Sequence, residues 1–238
     1  MAATRSHAFL ILVVAVPLTA SCLFEPAVEG PVGRAARIGD LEALSALLAA
    51  GTDPNTPDGP RGVRPISTAA RLGRIDAMTA LLAAGADPNL RDAAGNRWVP
   101  LMHAVHKHRT ASVRFLLEHG ARPDGPAALR VTPLMMAAAS GQTDVVALLL
   151  DRGANPRATL PGGGTLLDLA VSGGALTDID EPLLGDCHPA TVRLLVARAP
   201  DLRVSRSLRG RLSLFFARLN GCGEVLELVN TATQPTRQ

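Results

Sequence analysis

Apolar and polar positions along the 238 residues fall in a block that recurs. A Leu pair, a Gly and a Pro-containing turn appear as LLAAGTDPN (47–55), LLAAGADPN (81–89), LLEHGARPD (116–124) and LLLDRGANP (148–156). The glycines of the four blocks, Gly51, Gly85, Gly120 and Gly153, recur at nearly equal intervals. At one constant offset before each stands an alanine: Ala35, Ala69, Ala104 and Ala137. The alanine column continues at Ala170 and Ala217. A period of roughly 34 residues marks a repeat architecture. Within each block the apolar residues recur at helical spacing in two short runs, as in TPLMMAAASG (132–141) and QTDVVALLL (142–150). Each block therefore predicts two helices. The second ends at a Gly, which accepts the left-handed conformation of a helix end, and a Pro keeps the following segment non-helical. The column alanine marks a helix crossing too close for a larger side chain, and the Leu pair buries against the neighbouring block.

Residues 132–156 carry T-P-L-x-x-A-A-x-x-G, V-V-x-L-L-L and G-A-x-P. This pattern resembles the ankyrin repeat, over about residues 30–230. The resemblance implies an all-α solenoid of about six helix-turn-helix units with short β-finger loops, in one domain. The units fall at about 31–55, 56–89, 90–124, 125–156, 157–200 and 201–230, with 231–238 as a disordered tail. The first unit reads as an N-terminal cap, and the degenerate last one as a C-terminal cap with a more polar outside. The family's usual His after T-P-L is replaced by Ser67, Met102, Met135, Asp168 and Phe215. That His ties loops together, so here the loops are expected to be held mainly by packing. The fifth unit carries an insertion within 175–189, acidic through Asp178, Asp180, Glu181 and Asp186. It reads either as a contact loop or as a tolerated insertion, since longer loops cost little stability.

Composition sharpens this picture in two places. Five Phe, one Trp and no Tyr leave the core to Ala, Leu and Val, which suits closely packed helices. The formal charge of +3 and the absence of a Lys/Arg run argue against a nucleic-acid arm. The N-terminus has the layout of an export signal: Arg5, then an apolar run over residues 8–18, then small residues leading to Cys22. That run is shorter than the roughly 20 residues that span a bilayer. It resembles a bacterial lipoprotein signal, which implies removal of residues 1–21, a lipid on Cys22 and a short tether over 22–30. Thr19 stands where that signal prefers Leu, with Leu18 the next residue away. Ordinary cleavage after Ala20 is the alternative. Either route exports the protein and permits disulfides.

Three groups of residues are candidates for chemistry. His103 and His106 share a helix face, and His108 lies near. In the repeat frame His108 takes the helix-end position of Gly73 and Gly141, while His103 and His106 face a groove with no third ligand nearby. No metal or cofactor is therefore expected. Cys187 and Cys222 occupy nearly equivalent places in consecutive units, where stacking can bring Cα atoms within the about 7 Å a disulfide needs. A disulfide is expected; two buried thiols, or a Cys187–His188 nucleophile, are the alternatives. PGGGT (161–165) lacks the Lys-Ser/Thr of a phosphate loop.

The third group is a surface. Groove positions of the repeat give Arg34, Arg37, Arg64, Arg71, Arg97, Trp98, His103, His106 and Lys107 in the first half. The second half offers Met136, Ala139, Leu169 and Phe216. Trp and Arg most often dominate protein interfaces; a merely solvated face is the competing reading. The expectation is a non-enzymatic monomer that binds another protein and neither nucleic acid nor a small-molecule substrate. Its place is the cell envelope, lipid-anchored and facing the periplasm or the outer surface, as scaffold, protector or inhibitor. The alternatives are a soluble periplasmic or secreted effector that binds a host protein, and a metal or enzymatic protein using His103, His106 and His108.

Overall fold

Twelve helices in six antiparallel pairs make up the computed structural model, which describes residues 30–126, 131–160, 162–173 and 187–233. The pairs are α1 (Pro31–Ile38) with α2 (Leu41–Ala49), α3 (Pro65–Leu72) with α4 (Ile75–Ala83), and α5 (Pro100–His106) with α6 (Thr110–Glu118). They continue as α7 (Pro133–Ala139) with α8 (Thr143–Asp151), α9 (Leu166–Ser172) with α10 (Pro189–Arg198), and α11 (Leu208–Leu219) with α12 (Gly223–Thr233). The first helices form one row and the second helices another. The first row is packed more closely, so the stack curves toward it and α1, α3, α5, α7, α9 and α11 line the concave side.

Local sequence starts and stops each helix. Pro31, Pro65, Pro100 and Pro133 stand in the first turn, where their missing N–H is no loss. Asp40 caps α2 by accepting from the Ala43 N–H at 2.9 Å. Second helices end at Gly51, Gly85, Gly120 and Gly153, with φ between 84° and 91°. His108 takes the place of a glycine at the end of the first helix in the third unit, at φ 54°.

The predicted alanine column is the axis of the core. Ala69, Ala104, Ala137, Ala170 and Ala217 are fully buried, and Ala35 nearly so. Leu81, Leu116, Leu149 and Leu195 of the second row close the interior from the other side. The fingers are hydrogen-bonded turns, with no strand among the described residues. Asp58 and Val63 exchange both backbone bonds, and the Ala93 N–H reaches the Gly62 carbonyl of the preceding finger at 2.8 Å. The last helix runs on to Thr233, into the stretch expected to be tail. No helix of the described residues is long and apolar enough to cross a membrane.

Candidate functional site

The concave side is built by the first-row helices and the fingers beside them, and the fingers are pinned by aspartates. Asp92 accepts from the Arg64 N–H at 3.0 Å with Oδ1, satisfying an orphan donor at the start of α3. Its other oxygen takes the Nε2–H of His103 at 2.6 Å. Asp58, one repeat period earlier, receives the Gly30 N–H at the start of α1 in the same way. Asp168 accepts from Thr165 N and from Ser205 N, each at 2.8 Å, and so joins two units. A second ladder runs along the turns behind the fingers. The Asn55 side chain bonds the Gly85 carbonyl and the Asp87 N–H. Asn89 bonds Gly120 and Arg122 likewise, and Asp124 accepts from Asn155. The expectation of loops held mainly by packing is thus corrected: side-chain acceptors at a fixed period do the tying.

Trp98 follows from this scaffold. Arg97 sits at the finger tip with φ 54°, a left-handed turn that sends the next residue back toward α5. The Asp92 N–H bonds the Trp98 carbonyl at 2.9 Å and closes the finger. The half-buried indole then rests edge-on against His103 and His106, with centroids 5.3 and 5.1 Å away. Arg97 and Lys107 of the same unit are exposed, as is Arg34 on α1 two units away, while Arg37 and Arg71 are half-buried on α1 and α3.

Several expected groove residues have other work. The Arg64 guanidinium bonds the carbonyls of Arg91, at 2.8 Å, and Asn55, so it locks two fingers together. His103 is only 12 % exposed and committed to Asp92. Met136 is 4 % exposed, and Ala139 and Leu169 are buried too. The apolar half of the groove is therefore closed there, because α7 lies between α5 and α9 and all of PLMMAAA is buried. The C-terminal end departs from expectation in the opposite sense. Leu212, Phe215 and Leu219, one stripe of α11, are 42 %, 53 % and 65 % exposed, so the cap carries an apolar stripe beside exposed Arg211, Arg218, Glu224 and Glu227.

Cys187 and Cys222 are joined by a disulfide, with Cα atoms 6.2 Å apart. His188 packs its ring over Gly141 and bonds the Ala139 carbonyl at 3.1 Å. Both members of the supposed nucleophile pair are thus occupied structurally. Among the described residues, no three His, Cys, Asp or Glu side chains stand close enough to share a metal ion. An open depression of about 380 Å³ lies between the fifth finger and the segment leading to α11. Its rim carries Arg157 and Asp201, joined by two hydrogen bonds of 2.7 and 2.8 Å. Those bonds hold the Asp201 carboxyl below its ordinary range and raise Arg157. Its lining contains no Cys or His that could act as nucleophile or base. Cys22, the signal-like residues around it and positions 175–186 of the acidic insertion lie outside the described residues.

The sequence matches the family model for ankyrin repeats over residues 32–127 and 66–160, together more than half of the chain. The chain belongs to the ankyrin repeat family. Among solved structures, this ankyrin repeat chain is similar to an ankyrin repeat domain of Acinetobacter baumannii, at 25 % identity and a TM-score of 0.68. That similarity covers 85 % of this chain and 97 % of the other. The ankyrin repeat domain of human ASB11 shares its fold at 24 % identity and TM-score 0.68, over 88 % of this chain and 86 % of that one. No curated protein matches the sequence. Ankyrin repeat folds typically serve protein–protein interaction rather than catalysis.

Proposed function

We propose that this ankyrin repeat protein is a non-enzymatic binding module held at the bacterial cell envelope by a lipid on Cys22. It engages another exported or envelope protein through its concave face. The observation that carries this reading is half-buried Trp98, on a rigid footing of His103 and His106, with Arg97 and Lys107 of the same unit exposed and a further exposed cation, Arg34, on the same row of helices. A prepositioned aromatic accompanied by cations is the composition of an interface centre.

Two results are expected. Cys22→Ser releases the mature protein into the aqueous phase of a detergent partition, while the wild type enters the detergent phase, since several acyl chains anchor stably. Wild-type protein in the aqueous phase points instead to cleavage after Ala20 and a soluble exported protein. In affinity capture from envelope extracts, Trp98→Ala loses the partner that the wild type retains. The loss appears as about thirtyfold faster dissociation, on the order of 2 kcal/mol, because indole contacts are made after encounter. Equal retention by both proteins would move the working surface away from Trp98.

A further inference from the structure

Charge is sorted between the two helix rows. The first row carries Arg34, Arg37, Arg71, Arg211 and Arg218, and its single carboxylate, Asp168, is buried and bonded to backbone. Every second-row helix except α10 carries a carboxylate, Glu42, Asp76, Glu118, Asp144 and Glu224 among them. The ion pairs follow the same division. Arg152–Glu118, Arg193–Glu224, Arg198–Asp151 and Arg157–Asp201 all lie on the second row or in turns. Arg34, Arg71, Lys107, Arg211 and Arg218 pair with no carboxylate among the described residues. The finger aspartates nearest them, Asp58 and Asp92, are turned into backbone caps. A chain of formal charge +3 thus presents a distinctly positive concave face and an acidic convex one.

We propose that the concave face takes an acidic polypeptide segment, dense in Asp and Glu and carrying apolar side chains, from its partner. This rests on the groove reading above and adds the chemistry of what fills the groove. The apolar component follows from half-buried Trp98, which rests on His103 and His106 in the third of the six units. A polypeptide suits the face better than a nucleic acid. Nucleic-acid affinity grows with the number of phosphates neutralised, and the acidic second row repels whatever extends past the first. A short acidic segment fits within the positive face alone and is steered to it.

The test uses a fluorescent peptide rich in Glu and Leu, a Lys and Leu counterpart of equal length, and a single-stranded DNA oligonucleotide, read by anisotropy. The acidic peptide should bind, and raising salt from roughly 50 to 200 mM should weaken it about tenfold. Arg71→Glu, Lys107→Glu and Arg34→Glu should each weaken it several-fold while melting like the wild type. Arg114→Glu, exposed on α6 of the second row, should change nothing. Equal binding of the two peptides, or indifference to all three reversals, overturns the proposal. So does tighter binding of the oligonucleotide, or a salt-sensitive dimer in sedimentation that Arg71→Glu abolishes, since the second row of another copy would then be the occupant. Capture separates this from the broader reading. A partner lost with Trp98→Ala but held by the charge reversals at all salt concentrations keeps the groove and removes its acidic occupant.

Discussion

Ala104→Glu should unfold the middle of the stack. Ala104 is fully buried on α5, where α3 crosses from one side and α7 from the other. Its neighbours in the column, Ala69 and Ala137, are equally buried, so no direction exists in which a longer side chain can escape. The new carboxyl must either push the helices apart or stay in the crossing without water. Overpacking costs about 1–3 kcal/mol, and an unpaired polar group about as much again or more. Repeat stability is a sum over units and the contacts between neighbours, so damage to the third unit weakens two interfaces at once. A loss of about 4 kcal/mol should lower the melting temperature by about 10 °C or split the transition in two. Ala46→Glu, at an exposed position on α2, should stay within about 0.5 kcal/mol of the wild type. Melting of the Ala104 variant within about 2 °C of the wild type would show that the crossing has slack.

The same residue shows what kind of feature was legible from sequence. A small residue at a fixed period has one cheap explanation, a close crossing, and Ala69, Ala104, Ala137 and Ala170 bear it out in full. His108 was legible for a similar reason: its register against Gly73 and Gly141 demands a positive φ. Asp92 was not. Its role depends on the Arg64 N–H, far away in sequence, falling beside it once two units have stacked. The available signal was that Asp58 and Asp92 stand one repeat period apart. Arg64 and Met136 mark a second limit. Register assigned both to the groove, but register does not say whether a carbonyl or a neighbouring helix has already taken the side chain. At the C-terminal end the apolar spacing of Leu212, Phe215 and Leu219 reads like any packed face, and only the stack's ending leaves it uncovered.

That ending makes the disulfide matter. The unit formed by α11 and α12 has a neighbour on one side only, and it leaves three large apolar side chains in water. In a solenoid such a terminal unit is the first to fray. The Cys187–Cys222 bond ties the start of α12 to the start of α10, closing a loop of 35 residues that contains α10 and α11. Closing a loop of that size should contribute about 4 kcal/mol through the lost entropy of the unfolded chain, as an upper guide. Reduction, or Cys222→Ser, should therefore lower the melting temperature by about 10 °C. Hydrogen exchange should show the change concentrated in α11 and α12, with α3 to α6 unaffected, because couplings run only between neighbours. Peptide mapping without reductant should recover Cys187 joined to Cys222. Two free thiols in protein isolated from its native compartment, or unchanged protection of α12 after reduction, would mean that α12 is held by its packing against α10 and α11 alone.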